Sequence, residues 1–264
     1  MVRRYVGRVA GDAVVEQTTP AWHRVLIITI YCVKPMRKRI DLLVRENGVS
    51  HEAFVESWRT EYLPRIRDAD AVVRYQQVLP TQPEHAEFDG LSEVYVEDGD
   101  ALGDGSNGPV PAIEDALPIA EHRQFIGEET TQRDDVDGDT DGLFKHSAFL
   151  VRQEGMTHDE FVDYWQTNHT PIAREIEGVV KYDTVIPSEP SSTASSDPTS
   201  TAFDGVAELY FEELGALQDA LGSEGSRDYD PTKGKAAEAR EDVDNFLAVD
   251  ERPRLIGRNH LVKG

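Results

Sequence analysis

The sequence predicts an α+β fold in which two tandem βαββαβ units pack sheet to sheet and close a barrel within one chain. Residues 38–80 align without a gap with residues 145–187, and 17 of the 43 aligned pairs are identical. Strand and helix patterns follow in the ferredoxin-like order within the second copy. Such a unit covers one face of its sheet with helices, so two units can bury their bare faces against each other.

The second copy, residues 144–264, carries a local signal for each element. Thr157 and Glu160 form a capping-box pattern that opens a helix. The helix continues with apolar residues and a histidine at spacings of three and four, so they share one face: Phe161, Trp165, His169, Ile172 and Ile176. Strands are predicted at Lys145–Arg152, Val179–Ile186, Phe203–Glu212 and Arg254–Val262, and further helices at Leu214–Leu221 and Lys235–Leu247.

The first copy, residues 37–133, repeats the opening strand, helix and two strands, but its second half is degenerate. Glycines and prolines interrupt residues 99–111, where a second helix is expected. Arg123–Thr131 is predicted as its last strand. Residues 134–143 form an acidic linker, and residues 1–36 are an N-terminal extension. We expect translation to start at Met36; the alternative is a genuine additional strand or tail.

The charge balance points to a high-salt environment. The chain has 50 acidic and 27 basic residues, which gives a net charge of −23. Molar salt screens the resulting repulsion, so we expect a halophilic, cytoplasmic protein, with an ordinary acidic protein as the alternative. Nucleic acids and anionic membranes are unfavourable partners. The expected partner is a small molecule; the barrel is an intrachain pseudo-dimer, with homo-oligomers left open.

Three motifs of the second copy resemble the EthD family. They are the helix Gly155–Trp165 with His169 and Pro171 after it, the strand 203–211 (FDGVAELYF), and the closing strand 258–262 (RNHLV). The resemblance covers nearly all of residues 144–264 and, more loosely, residues 37–133. It implies a dimeric α+β barrel. EthD-like proteins are associated with oxidative breakdown of small organic molecules, and the superfamily includes lactone isomerases, polyketide cyclases, monooxygenases and haem enzymes such as chlorite dismutases.

His169 is the first candidate catalytic residue. It lies one turn beyond Trp165 on the predicted buried face, and Pro171 removes an amide hydrogen bond there, which loosens the helix. An imidazole at this place suits general acid–base catalysis. The alternative is a structural histidine bonded to a freed carbonyl. The equivalent residue in the first copy is Tyr62, which suggests one working half and one scaffold half.

Further candidates come from the other strands. His260 and Tyr182 are candidate catalytic residues, and Trp165, Glu208 and Asn168 are candidate substrate contacts. Glu208 lies on a strand that is expected to be half buried, where a carboxylate needs a partner such as an Arg or a His; His260 is one candidate. His51 and His158, in the first turn of each first helix, are expected to be solvated, and no metal ligands are predicted.

These features favour an enzyme acting on a small hydrophobic or aromatic carbonyl compound by oxidation, isomerisation or cyclisation. No cofactor is expected in this interpretation. One alternative is a haem-binding barrel with His169 as the axial ligand. Another is a binding module without catalysis. The fold alone does not distinguish these functions.

Overall fold

The computed structural model describes residues 36–97, 99–102, 109–187, 203–224, 231, 233–248 and 253–264, together with the backbone of three short strands at 6–9, 13–16 and 193–195. The chain forms two compact units, residues 1–35 and 36–264. In the first unit, β1 (Val6–Val9) pairs antiparallel with β2 (Ala13–Glu16). The remaining residues of the predicted N-terminal extension, apart from Met36, lie outside the described ones.

The second unit is built on eight antiparallel strands that close into a barrel. They are β3 (Arg37–Arg45), β4 (Arg74–Pro80), β5 (Gly90–Val96), β6 (Ile119–Asp134), β7 (Phe144–Leu150), β8 (Val179–Pro187), β10 (Gly205–Phe211) and β11 (Arg254–Lys263). Their order around the barrel is β3-β5-β4-β11-β7-β10-β8-β6, and β6 pairs with β3 to complete the ring. The short strand β9 (Thr193–Ser195) adds to β6 beside this ring.

Helices cover the outer face of each half. The first half has α1 (His51–Ser57), a π-helical turn (Trp58–Tyr62) and α2 (Leu63–Asp68); the second has α3 (His158–Tyr164), a π-helical turn (Trp165–His169) and α4 (Thr170–Ala173). The second half adds α5 (Leu214–Leu221) and α6 (Gly234–Val243). Within the described residues, the corresponding part of the first half contains only a 3₁₀ turn, Gly99–Leu102, because its glycines and prolines disfavour a helix.

Local signals explain these helices. The predicted capping box is confirmed, because the Thr157 side chain accepts from the Glu160 amide and the Glu160 carboxylate accepts from the Thr157 amide. The repeated glycine of the two FDG motifs makes room for the repeated tryptophan. A Cβ on Gly205 would lie 2.5 Å from the Trp165 ring, and one on Gly90 would lie 2.7 Å from Trp58. Only glycine at these strand positions lets the indole pack directly on the sheet.

The aspartate of each FDG motif binds the first helix to the sheet. Asp204 accepts hydrogen bonds from the Arg152 guanidinium and backbone amide, and its Oδ1 lies 3.2 Å from His158 Nδ1. Asp89 makes the same set of contacts with Arg45 and His51. The expectation that His51 and His158 are solvated was therefore wrong: both are partly buried against a carboxylate.

Three hydrophobic clusters stabilise the unit. One lies between the helices and the barrel in each half, built around Trp58 and Trp165 respectively. The third fills one end of the barrel interior, with Phe88, Phe149 and Phe203 among its members. Among the described residues, no helix has the length and apolar character needed to cross a bilayer.

Candidate functional site

His169 lies at the end of the π-helical turn, where the chain passes from α3 to α4. Its side chain is mostly buried, and its ring packs 5.0 Å from the ring of Phe246. Its Nδ1 lies 2.9 Å from Oδ2 of Asp242 on α6. Because a carboxylate only accepts, Nδ1 carries the proton in the neutral ring and Nε2 carries the lone pair. This is the arrangement that orients an imidazole for proton transfer at Nε2.

Asp242 collects three hydrogen bonds. Besides His169, it accepts from the Tyr164 hydroxyl at 2.7 Å and from the Asn245 side-chain amide at 3.2 Å. Burial raises the pKa of Asp242, but the hydrogen bonds from Tyr164, His169 and Asn245 outweigh burial and bring the pKa below its ordinary value. Asp242 therefore stays ionised at neutral pH and stabilises a protonated His169. The sequence did not identify Asp242 or Tyr164 as site residues.

Trp165 and Tyr182 are both fully buried in the core cluster below His169. Burial raises the pKa of the Tyr182 hydroxyl to about 12, so this group is a proton donor rather than a base at neutral pH. Together with Phe161 and Phe246, these rings occupy most of the layer between α3 and the sheet. A surface pocket of about 470 Å³ lies elsewhere in the layer, between α5 and the start of α6, with Ala216, Asp219 and Lys233 in its lining.

The other predicted site residues have surroundings of their own. His260 lies on β11, opposite Gln77 of β4, and is half-buried. Burial lowers the pKa of His260, against the opposing effect of Asp141. Asn168 is exposed and donates to Thr167 Oγ1. Glu208 is directed into the barrel interior, and the cations that it contacts are Lys38 and Lys145 rather than the Arg or His that the sequence suggested.

The polar end of the barrel interior holds a buried ring of four charges. Lys38 contacts Glu208 and, at 3.2 Å, Glu93; Lys145 contacts Glu93 at 2.5 Å and Glu208 at 2.9 Å. All four side chains are fully buried. Glu129 adds a third carboxylate, 3.0 Å from Lys38. Each repeat contributes one lysine and one glutamate at equivalent positions, so the ring fastens the two halves to each other.

The first half holds a different set of groups at the place of His169. Tyr62 stands at the equivalent end of the first π-helical turn and donates to the Pro111 carbonyl at 3.0 Å. Arg39 donates to Tyr62 at 3.3 Å and to Asp41 at 3.0 Å, and His122 lies 3.0 Å from Asp41. These residues form a closed hydrogen-bonded network. The first half thus has a histidine–aspartate contact of its own, His122 with Asp41, but Tyr62 rather than a histidine stands at the position of His169.

The closed eight-stranded barrel with outer helices defines an α+β barrel protein similar to the dimeric α+β barrel superfamily. Within it, residues 153–250 match the family model of the EthD domain, and they include His169, Asp242 and Tyr164. The sequence resemblance to the EthD family is thereby confirmed, with the matched residues in the second repeat. No curated protein matches the chain.

Solved structures support the fold. An anthrone oxidase-like protein superposes with a TM-score of 0.55 at 13% identity, covering 88% of this chain and 94% of its own. A chlorite dismutase from Candidatus Nitrospira defluvii, in complex with imidazole, superposes with a TM-score of 0.51 at 10% identity, covering 86% of this chain and 92% of its own. A putative monooxygenase from Lactobacillus acidophilus superposes with a TM-score of 0.50 at 9% identity, covering 86% of this chain and 95% of its own. At these identities the likeness concerns the fold.

Proposed function

We propose that this protein is an oxidoreductase-type enzyme that acts on a small aromatic or hydrophobic carbonyl compound, with His169 as its acid–base group. The observation that carries the proposal is the hydrogen-bonded series Tyr164–Asp242–His169. A histidine with one nitrogen bonded to an ionised carboxylate is oriented for proton transfer at the other. The series occurs in the half that matches the EthD domain model, and Tyr62 replaces the histidine in the other half.

The chemistry of such a site begins with removal of an acidic proton. His169 Nε2 takes a proton from a carbon adjacent to the substrate's conjugated ring system, and the electron pair delocalises onto the carbonyl oxygen as an enolate. Asp242 then stabilises the imidazolium that has formed. An enolate is the common intermediate of isomerisation, of cyclisation and of oxidation by dioxygen, so the same residues serve each of the reaction types that the sequence leaves open.

Anthrone is a suitable first substrate because its methylene group is acidic and its rings are flat and apolar. The resemblance to an anthrone oxidase-like structure also favours this choice. In the proposed reaction, anthrone loses the methylene proton to His169 and its electrons pass to dioxygen. One anthrone and one dioxygen give one anthraquinone and one water, which balances atoms and electrons.

The test is oxidation of anthrone in molar KCl, followed with an oxygen electrode and by the absorbance of anthraquinone, above the rate without protein. His169→Ala is expected to lower the rate by about a hundredfold, the usual contribution of a general base. His158→Gln is the matched control, because His158 belongs to the same repeat and binds Asp204 instead. Equal rates for wild type and His169→Ala would contradict the proposed role. Binding without turnover would favour a non-catalytic binding module.

Haem binding is the second candidate, and one observation favours it. A metal-ligating histidine commonly donates its other N–H to a carboxylate, as His169 does to Asp242. The described surroundings do not fit a porphyrin plane, however, because Phe246, Trp165 and Tyr182 fill the layer beside the imidazole. An absorption spectrum with added hemin tests this point: a Soret band that is lost in His169→Ala would establish a haem site.

We also propose that the barrel consists of two ferredoxin-like units fused in tandem. The strand order within each half, fourth–first–third–second, supports two fused ferredoxin-like units. The paired positions of Lys38 with Lys145 and of Glu93 with Glu208 support the same interpretation. We place the working site in the second half of the barrel and assign a scaffold role to the first half.

A further inference from the structure

The polar end of the barrel interior has two corners that correspond to each other between the halves. Each corner surrounds one of the two repeated glutamates and is formed by three neighbouring strands: β4, β5 and β11 for one, and β6, β8 and β10 for the other. The amide corner consists of Gln76, Glu93, Tyr95 and Asn259, and the acidic corner consists, in the same order, of Asp183, Glu208, Tyr210 and Glu129.

The correspondence of Glu129 with Asn259 follows from strand pairing. Glu129 is the cross-strand partner of Val185 on β8, and Asn259 is the cross-strand partner of Val78 on β4. Val78 and Val185 occupy the same position in the aligned repeats. The other three pairs correspond through the repeat alignment and the two FDG motifs, so the corners can be compared residue by residue.

Gln76 links the members of the amide corner through hydrogen bonds. Its Nε2 donates to Glu93 at 3.0 Å and to the Tyr95 hydroxyl at 2.7 Å. Its Oε1 accepts from the Asn259 side chain at 2.9 Å. A single amide therefore supplies the donors that the glutamate and the tyrosine need, and it also accepts from the second amide.

In the acidic corner, carboxylates replace both amides. Asp183 stands at the position of Gln76 and Glu129 at that of Asn259, and an ionised carboxylate only accepts hydrogen bonds. Among the described residues, neither Oδ2 of Asp183 nor the hydroxyl of Tyr210 has a hydrogen-bond partner, although both atoms are buried. Buried oxygens without a donor are costly, and they indicate a ligand that the chain itself does not supply.

Lysines neutralise the acidic corner only in part. Lys38 contacts Glu208 and lies 3.0 Å from Oε2 of Glu129, and Lys181 lies 3.0 Å from Oδ1 of Asp183. These contacts engage one oxygen of Glu129 and one of Asp183, so the other oxygen of each remains for a further ligand. With three carboxylates and two lysines, the corner has a formal charge of −1.

The amide corner has the opposite formal charge. Its one carboxylate, Glu93, lies 2.5 Å from Lys145, and the guanidinium of Arg74 lies over the Tyr95 ring at 4.9 Å from its centroid. One carboxylate with these two cations gives +1. The corners therefore differ by the charge of one divalent cation, because carboxylates have replaced the two amides.

The oxygens of the acidic corner are close enough to bind one ion together. Carboxylate oxygens of Glu129, Asp183 and Glu208 all lie within 4.8 Å of one another. Ca²⁺ binds oxygen ligands at about 2.3–2.6 Å in a flexible geometry, so two ligands on opposite sides of it are about 5 Å apart. Tyr210 lies on the same face of β10 as Glu208 and adds a hydroxyl oxygen. The Glu129 side chain is 11% exposed, so the corner borders solvent.

We propose that the acidic corner binds one divalent, oxygen-preferring cation of the Ca²⁺ type through Glu129, Asp183, Glu208 and the Tyr210 hydroxyl. The ion brings the formal charge of the corner to that of the amide corner. Glu129 belongs to the first half and the other ligands to the second, so the ion joins the halves where β6 pairs with β8. The sequence predicted no metal ligands, because these residues lie on three strands that only the fold brings together. The site is independent of the proposed enzymatic function.

The test is calorimetric titration of the full chain with CaCl₂ after treatment with EDTA and desalting. Molar KCl screens the attraction of Ca²⁺ to other surface carboxylates. The wild type is expected to bind one Ca²⁺ per chain. Asp183→Asn and Glu129→Gln each replace a carboxylate by an amide, as in the amide corner, and should raise the dissociation constant about tenfold or more. Glu128→Gln is the matched control, because it removes the same charge from the adjacent residue, which pairs with Arg37.

Tb³⁺ provides a second readout, because its emission is excited through a nearby tyrosine and Ca²⁺ displaces it from shared sites. Tyr210→Phe removes only a hydroxyl without a partner among the described residues, so its thermal midpoint without metal should equal that of the wild type. Its Tb³⁺ emission should fall markedly. This variant decides the question if the carboxylate variants do not fold.

One Ca²⁺ bound by the wild type and by Glu128→Gln, and lost in Asp183→Asn and Glu129→Gln, would establish the site. Identical titrations of the wild type and Asp183→Asn would overturn it, since the ions would then bind to other carboxylates. A folded wild type that binds no Ca²⁺, or a Tb³⁺ emission unchanged in Tyr210→Phe, would also overturn it.

Discussion

The buried ring of charges inside the barrel gives the sharpest test of what stabilises this fold. Lys145→Met removes a side chain that is fully buried and that contacts Glu93 at 2.5 Å and Glu208 at 2.9 Å. With Lys38 and Glu129, the wild-type group has two positive and three negative side chains, so its formal charge is −1. The substitution changes the formal charge to −2 and leaves three carboxylates, Glu93, Glu129 and Glu208, to share Lys38.

Breaking a buried ion pair by removing one partner costs about 3–5 kcal/mol, because the remaining charge is buried without compensation. For a unit of this size, that corresponds to a fall in the thermal midpoint of roughly 6–20 °C. The assay is urea unfolding at constant molar KCl, so that screening does not change along the titration. Lys235→Met is the matched control: Lys235 pairs with Glu238 on the surface, and its loss should cost less than about 1 kcal/mol.

The stability lost in Lys145→Met should also depend on pH, and the pKa of Glu208 determines the direction of this dependence. Burial and the charge of Glu93 raise the pKa of Glu208 to about 7, whereas Lys145 opposes this rise. Without Lys145 the folded-state pKa rises further, so the folded variant binds more protons than the unfolded chain above pH 4.5. Its stability therefore falls as pH rises through the neutral range. The variant should be closer to wild type at pH 5 than at pH 8. A loss below about 1 kcal/mol at pH 8, or one independent of pH, would refute this reasoning.

Three further predictions concern other parts of the molecule. Asp242→Asn should lower the rate of the proposed reaction about a hundredfold while leaving the thermal midpoint nearly unchanged, because it removes the charge that stabilises protonated His169; an unchanged pH–rate profile would contradict the role of this pair. Gly205→Ala should cost about 1–3 kcal/mol in urea unfolding, because its Cβ would lie 2.5 Å from Trp165; a neutral effect would show that the indole moves freely. Raising KCl from dilute to molar should raise the wild-type thermal midpoint, since the net charge of −23 is then screened; a midpoint independent of salt would argue against adaptation to high salt.

The repeated elements were predictable because each repeat confirms the signals of the other. The strands and the capped first helix follow from the alignment of the two copies. The alignment also repeats the tryptophans and glycines, whose packing on each other only the structure shows. The length of β6 was not predictable from local pattern. Residues 119–128 of β6 pair with β3, whereas residues 127–134 pair with β8, so the strand extends to reach staggered neighbours from both halves. The length of β6 is set by barrel closure, which depends on strands that are distant in sequence and cannot be deduced from residues 119–134 alone.

The candidate site was predictable only in part, for the same reason. His169 stands out from its motif, but Asp242 lies 73 residues further along the chain, and its contact depends on how α6 packs. The lysine partners of Glu208 left a usable signal. Lys38 and Lys145 occupy the same position in two apolar strands, as do Glu93 and Glu208 in two others. Equal and opposite charges repeated at buried positions indicate an ion pair between repeats.

Barrel closure also has a consequence for the ancestry of the chain. A separated second half would expose the edges of β8 and β11, which are the strands that now pair with β6 and β4 of the first half. Unpaired strand edges seek a partner, and another copy of the same half offers the matching edges. Such a homodimer would bring two copies of Lys145 and Glu208 into the same interior ring. Joining the copies in one polypeptide fixes their stoichiometry at one to one. Each half can then diverge in sequence while it keeps the other half as its pairing partner.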